Sequence, residues 1–126
     1  MTDISVPLGD ELEAIVNGDA RATSLKLLAG LIKSTPVDTG RAKGNWFVSA
    51  GTPNRSKDNG RRAGQALSQG RAVIASTEDK EYPTITITNN LPYIQRLNDG
   101  WSEQAPKKFV EAEIQRVTTA SNANAR

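Results

Sequence analysis

The stretch Pro83-Thr84-Ile85-Thr86-Ile87-Thr88-Asn89-Asn90 decides the fold class of this chain. Its β-branched residues alternate between polar and apolar, which is the two-residue period of a strand with one buried face. A proline opens the run, and two asparagines, which are common turn residues, close it. The sequence therefore predicts a β-strand over residues 84–88.

A second strand is predicted upstream, at Asn45–Ser49, where aromatic and β-branched residues precede Gly51 and Pro53. Two strands alone are marginally stable, so residues 72–82 are the candidate for a third. We expect one small antiparallel sheet.

Three helices are predicted around this sheet. The longest runs from about Leu8 to Lys33, because apolar residues recur there at spacings of three and four and acidic residues occupy the first turns. Pro36 ends it. A second helix is predicted over Ala63–Ala75, and a third, amphipathic helix from Pro106 to about Thr118. The class is α+β, with the long N-terminal helix packed on the sheet.

One domain accounts for the whole chain. Its 126 residues leave no room for a second core. We expect that domain to span residues 1–118, and the Ser-, Asn- and Ala-rich residues 119–126 to form a flexible tail.

The composition excludes several kinds of chemistry. The chain has no cysteine and no histidine, which removes disulfides, the usual zinc ligands, thiol nucleophiles and the commonest general base. No apolar run approaches the roughly 20 residues of a membrane span. The first ten residues carry acids rather than the basic start of a secretory signal. We expect a chain made in the cytoplasm, with no membrane partner.

Charge is unevenly distributed along the sequence. Residues 1–20 contain five acidic and no basic residues, whereas residues 36–75 contain seven basic and two acidic ones. The segment 51–62 has no large apolar residue and is predicted to be a mobile surface loop. Its cations and those that follow could face DNA, meet the acidic end of a neighbouring copy, or simply be solvated. They are Arg55, Lys57, Arg61, Arg62 and Arg71.

The triplet Asp38-Thr39-Gly40 invites comparison with dimeric aspartic proteases, which pair two such carboxylates. Those enzymes carry the triplet on an apolar strand, whereas here it follows a predicted helix and Pro36. A structural turn is the favoured interpretation, because Asp and Thr side chains bond to nearby backbone N–H groups and glycine tolerates positive φ.

A small nucleic-acid-binding domain is the alternative from another class. The basic segment would attract phosphates, but no aromatic residue for base stacking lies between Val48 and Glu81. No phosphate-binding Gly-Lys-Ser/Thr sequence is present either.

Two phrases in the sequence resemble a known family. The first is Thr35-Pro36-Val37-Asp38-Thr39-Gly40-Arg41 followed by Asn45-Trp46. The second is Asn89-Asn90-Leu91-Pro92-Tyr93, then Leu97–Ser102, Gln104-Ala105-Pro106 and Phe109-Val110. In this order they resemble small tailed-phage proteins called neck, head–tail joining, tail-completion or minor tail components. The resemblance covers about residues 8–118, and departs from the family at Lys108 and at Asn98-Asp99.

This resemblance implies a structural virion subunit that forms a ring, of six or twelve copies, around the DNA channel between head and tail. A tail terminator that caps the tail tube is the closest alternative. No catalysis, cofactor, metal or small-molecule ligand is implied; the partners would be further copies and other neck and tail proteins. Trp101 either folds back onto the core or anchors a subunit interface, and Tyr93 and Phe109 are the further candidates for that interface.

Overall fold

The α+β class is what the structure shows. A computed structural model of the chain describes residues 3–5, 12–17, 21–35, 42–52, 54–58, 60–77, 84–91, 94 and 109–124. The strands are β1 (Asp3–Ser5), β2 (Leu12–Asn17), β3 (Trp46–Ala50) and β4 (Ile85–Asn89), and the α-helices are α1 (Arg21–Ser34), α2 (Ala63–Ala75) and α3 (Phe109–Asn124). A 3-10 turn, Lys43–Asn45, leads into β3.

The four strands form one antiparallel sheet in the order β1-β2-β4-β3. β4 lies inside the sheet, between β2 and β3, and Ile87 is directly opposite Ala14 on one side and Val48 on the other. The alternating segment that predicted a strand is thus an inner strand of the sheet.

Both faces of β4 are covered, which explains why all five of its residues are buried. Ile85 and Ile87 belong to the apolar core on the helical side. On the opposite face, Thr86 and Thr88 donate hydroxyl hydrogen bonds to the carbonyls of Gly51 and Asn54, at 2.8 and 2.7 Å. The alternation of isoleucine and threonine therefore separates an apolar face from a polar face that a loop covers.

The helical layer is centred on α1, which packs against both α2 and α3. Leu27, Leu28 and Leu31 are fully buried on its inner side. At Gly70 of α2 an added Cβ would collide with Cδ2 of Leu28 and lie 2.9 Å from Cγ2 of Val48. The absence of a side chain at this point lets α1, α2 and β3 meet closely.

The prediction of a helix beginning near Leu8 was wrong at its N-terminal half. Leu12–Asn17 is strand β2, and α1 starts at Arg21 with no acidic residue in its first turn. The apolar residues of 12–16 fit a helical period, but pairing with β4 satisfies a row of backbone groups that β4 would otherwise leave open. Lys33 does lie in the last turn of α1, as predicted.

The remaining boundaries agree in part with the sequence. Helix α2 has the predicted bounds, and β3 and β4 are each shifted by one residue from the prediction. Residues 72–75 belong to α2, so the additional strands of the sheet come from the N-terminus instead. Helix α3 continues to Asn124 through the segment predicted as a flexible tail, which contains no glycine or proline to stop it.

Candidate interaction surfaces

The described residues 51–52 and 54–58, called here the outer loop, are held against the sheet by polar side chains. Besides the two threonine bonds, Asn90 Nδ2 donates to the carbonyls of Asn54 (2.8 Å) and Ser56 (3.0 Å). Asn45 binds the far end of the loop, donating from Nδ2 to the Asp58 carbonyl and accepting the Asp58 N–H, both at 2.8 Å. The sequence predicts a mobile segment here because it contains no large apolar residue. The structure shows that hydrogen bonds anchor it.

Four of the five cations singled out from the sequence are exposed. Arg55 and Lys57 lie on the outer loop, while Arg62 immediately precedes α2 and Arg71 lies within it. The two residues are nine positions apart, and at about 100° per residue such positions lie on opposite sides of a helix axis. The structure therefore groups Arg55 with Lys57 but does not align Arg62 with Arg71.

Arg61 is the exception, because its side chain is only 5% exposed. Its Nη1 donates to the carbonyls of Trp46 (2.8 Å) and Gly44 (3.4 Å), and its Nε donates to Oε1 of Gln69 at 2.9 Å. The guanidinium carbon lies 4.0 Å from the ring centroid of Phe47. Arg61 thus joins the 3-10 turn, β3 and α2, and we remove it from the set of DNA-facing or interface charges.

Burial has an electrostatic consequence for this side chain. Desolvation lowers the pKa of Arg61, and the nearby charge of Asp58 opposes that shift. The backbone carbonyls and the face of Phe47 replace the hydration that the cation gives up. No carboxylate of the described residues forms a salt bridge with it.

The two phrases that carry the family resemblance meet in the structure. In the first phrase, Trp46 Nε1 donates to Oγ1 of Thr35 at 2.8 Å, and that hydroxyl donates to the Leu31 carbonyl at the end of α1. From the second phrase, Asn89 Nδ2 donates to the Ala42 carbonyl at 3.0 Å. We call these contacts the buried junction; Thr35, Trp46 and Asn89 are each at most 1% exposed.

Lys43 fastens the same region to α1. Its Nζ donates to the carbonyls of Ile32 (2.7 Å) and Lys33 (2.9 Å), which belong to the last turn of the helix. A cation at this position satisfies carbonyls without intrahelical partners and opposes the negative end of the helix dipole. Partial burial lowers the pKa of Lys43 by desolvation. The sequence did not predict Lys43, Thr35 or Asn89 as anchors; the local signal that could have indicated one of them is a cation shortly after the C-terminus of a helix, which Lys43 supplies.

Other predicted site residues fall outside the described residues or in the core. Asp38, Thr39 and Gly40 lie outside the described residues, as do Tyr93 and Trp101. Phe109, a candidate interface residue, is 1% exposed and belongs to the apolar core of the subunit. It is therefore not a surface anchor in this structure.

A second cationic surface, which the sequence reading missed, lies between α1 and α3. An open groove of about 650 Å³ is lined by Lys26, Ala29, Gly30, Lys33, Ser34, Glu113 and Arg116. Glu113 accepts a hydrogen bond from Ser34 at 2.7 Å and forms a 2.8 Å salt bridge with Arg116. Lys26 and Lys33 are seven residues apart and share one face of α1, which is the spacing that could have revealed them.

Among the described residues there is no cluster of acidic side chains that could hold a metal ion. Within the same residues, no helix is long and apolar enough to cross a membrane. Comparison with protein families, with curated proteins and with solved structures found no match to this chain.

Proposed function

We propose that this chain is a non-enzymatic structural subunit of a tailed bacteriophage. It forms a ring of six or twelve copies at the neck or tail end, completes the tail and joins it to the head around the DNA channel. It is made in the cytoplasm of the bacterial host and ends in the virion. Its partners are further copies of itself and neighbouring neck and tail proteins.

The observation that carries this proposal is the buried junction. The resemblance to neck and tail-completion proteins rests on two separate phrases of the sequence, and Asn89 of one binds the carbonyl of Ala42 beside the other. Trp46 is directly opposite Asn89 in the β3–β4 pairing. Thr35 and Trp46 of the first phrase thus join β3 to α1, and Asn89 of the second lies beside Trp46, which supports the proposal that the two phrases belong to one structural unit.

Exposed cations support a position beside DNA. Arg55 and Lys57 stand on a loop whose backbone is bound to the sheet, so the two charges are held in place on the surface. Lysine and arginine attract phosphates regardless of base sequence, as a channel through which DNA passes requires. Residues 51–62 themselves include no large apolar residue that could form the core of a protein interface.

Two rivals remain distinguishable from this proposal. A tail terminator would share the ring and differ in position within the particle. A small nucleic-acid-binding domain would act as a single subunit, and the same cations favour it. The absence of aromatic residues from the sequence between Val48 and Glu81 argues against base stacking.

The test is electron microscopy of the purified chain combined with double-stranded DNA binding across salt concentrations. We expect rings with a central opening, and weak DNA binding that is insensitive to sequence and falls steeply with salt. Arg55→Glu with Lys57→Glu should preserve the rings and weaken DNA binding. The control, Lys26→Glu with Lys33→Glu, makes the same change in net charge on the α1–α3 groove and should weaken it less.

Single subunits at every concentration, with tight and sequence-selective DNA binding, would overturn the proposal in favour of the nucleic-acid-binding domain. An equal loss of affinity in both double variants would show that net charge, and not the outer loop, governs DNA contact.

A further inference from the structure

The outer edge of β3 carries backbone groups that point away from the sheet. Gly51 N–H donates to the Thr84 carbonyl at 3.0 Å, which fixes the alternation of the β3–β4 ladder. By the two-residue period, Phe47 and Ser49 also direct their backbone groups to β4. Trp46, Val48 and Ala50 therefore direct theirs outwards, and Arg61 Nη1 reaches the Trp46 carbonyl from that side.

Arg61 occupies only the beginning of this edge. Within the part of the chain that the structure describes, the outward N–H and carbonyl groups of Val48 and Ala50 have no hydrogen-bond partner. Unpaired strand edges bind extended segments through the backbone. The open stretch, Val48–Ala50, is three residues long.

The opposite edge of the sheet, β1, has a matching pattern. By the same alternation, the even-numbered residues of β2 direct their backbone groups towards β4. The odd-numbered residues of β2 direct theirs towards β1. Asp3 and Ser5 are opposite odd-numbered residues, so their backbone groups point inwards. Ile4 is left with its N–H and carbonyl directed out of the sheet.

The direction of the strands makes the two edges compatible. Neighbouring strands alternate in direction across four strands, so β1 and β3 run in opposite directions. A second copy placed beside the first by a simple head-to-tail repeat brings its β1 alongside β3 in antiparallel orientation. A head-to-tail interface closes into a ring when the rotation between copies permits.

We propose that β1 of one copy pairs with the Val48–Ala50 edge of the next, so that the sheet continues from subunit to subunit. This inference rests on the proposed ring and names its interface. β1 has three residues, the length of the open stretch.

Two registers are compatible with the alternation of backbone hydrogen bonds. In both of them the residue opposite Ser49 differs from the one expected if two β3 edges met. With Ile4 opposite Ala50, Ser5 of one copy lies opposite Ser49 of the next; with Ile4 opposite Val48, Asp3 does. Two β3 edges related by a twofold axis would instead place Ser49 opposite Ser49. In each case the pair is of the closer, non-hydrogen-bonded kind, with Cα atoms about 4.5 Å apart and within reach of a disulfide.

The experiment is disulfide trapping in the full-length chain, which has no native cysteine. Ser49→Cys breaks no hydrogen bond among the described residues, because the Ser49 hydroxyl has no partner there. The variants are Ser49→Cys alone, Ser49→Cys with Ser5→Cys, and Ser49→Cys with Asp3→Cys. The two edges of one sheet are about 14 Å apart, three interstrand spacings, which excludes a disulfide within a subunit.

We expect one of the two double variants to give a ladder of covalent oligomers up to the full ring under mild oxidation, and Ser49→Cys alone to remain uncrosslinked. Ala50→Pro, which removes an outward N–H, should abolish rings in native mass spectrometry, whereas Ala50→Val should retain them. Crosslinked dimers from Ser49→Cys alone would show that β3 meets β3. Intact rings without any crosslink, unaffected by Ala50→Pro, would overturn this interface and leave the proposed function standing; absence of rings in the unmodified chain would remove both.

Discussion

Replacing Arg61 with alanine should cost far more stability than replacing its neighbour Arg62. Arg61 makes hydrogen bonds to Trp46, Gly44 and Gln69 and lies over the ring of Phe47. Hydrogen bonds of charged groups contribute about 1.5–3 kcal/mol each, and a cation over an aromatic ring about 0.5–2 kcal/mol. Because these terms are not additive, we expect Arg61→Ala to lower the free energy of unfolding by about 3–5 kcal/mol.

Arg62→Ala is the matched control, since the exposed side chain of Arg62 can be removed while its backbone N–H keeps the 2.8 Å bond to Gln65. Its cost should stay within about 0.5 kcal/mol. Arg61→Lys should lose about 2 kcal/mol, because an ammonium group cannot reproduce the planar fork of donors.

Urea unfolding followed by tryptophan fluorescence measures the free energy of unfolding of all three variants. The protein concentration is kept the same throughout, because assembly alters apparent stability. Equal stability of the Arg61→Ala and Arg62→Ala variants would refute the assignment of Arg61 as a buried structural cation.

Three further outcomes follow from the packing and the polar anchors. Gly70→Ala should destabilise the fold by about 1–3 kcal/mol because its Cβ would collide with Leu28 and Val48, whereas Gly64→Ala, with open space around it, should stabilise α2 by about 0.5–1 kcal/mol in urea unfolding. Asn90→Ala removes two bonds to the outer loop and should speed tryptic cleavage after Arg55 and Lys57 about tenfold; an unchanged rate would mean that the other anchors suffice. Thr35→Val should cost about 1–2 kcal/mol and shift the fluorescence of Trp46, whose indole N–H loses its acceptor; an unaltered spectrum would contradict the buried junction.

Local sequence patterns predicted the elements in which the spacing of apolar residues matches the period of the secondary structure that forms. The alternation of threonine and isoleucine predicted β4, and α2 was predicted with its observed bounds. The buried positions of α2 in the structure, Ala66, Gly70 and Ile74, recur at a spacing of four. The core residues of β3, Trp46 and Val48, likewise follow the period of a strand. In these segments propensity and tertiary packing agree.

Strand β2 could not be predicted from its own residues. Leu12, Ile15 and Val16 fit a helical stripe, and the backbone there pairs as a strand with the edge of β4 that β3 does not occupy. Composition does not distinguish Arg61 from Arg62. Arg61 is buried because the fold brings the Trp46 carbonyl within reach of its side chain. Burial of a charge depends on such long-range contacts, and a count of basic residues in a loop does not reveal it.

The central claim is that this chain works by assembling, and native mass spectrometry of the purified full-length protein over a range of concentrations tests it most directly. The proposed function predicts one closed stoichiometry, six or twelve subunits, that persists on dilution until it dissociates. A single subunit at every concentration, or an open-ended series of oligomers with no preferred size, would contradict it.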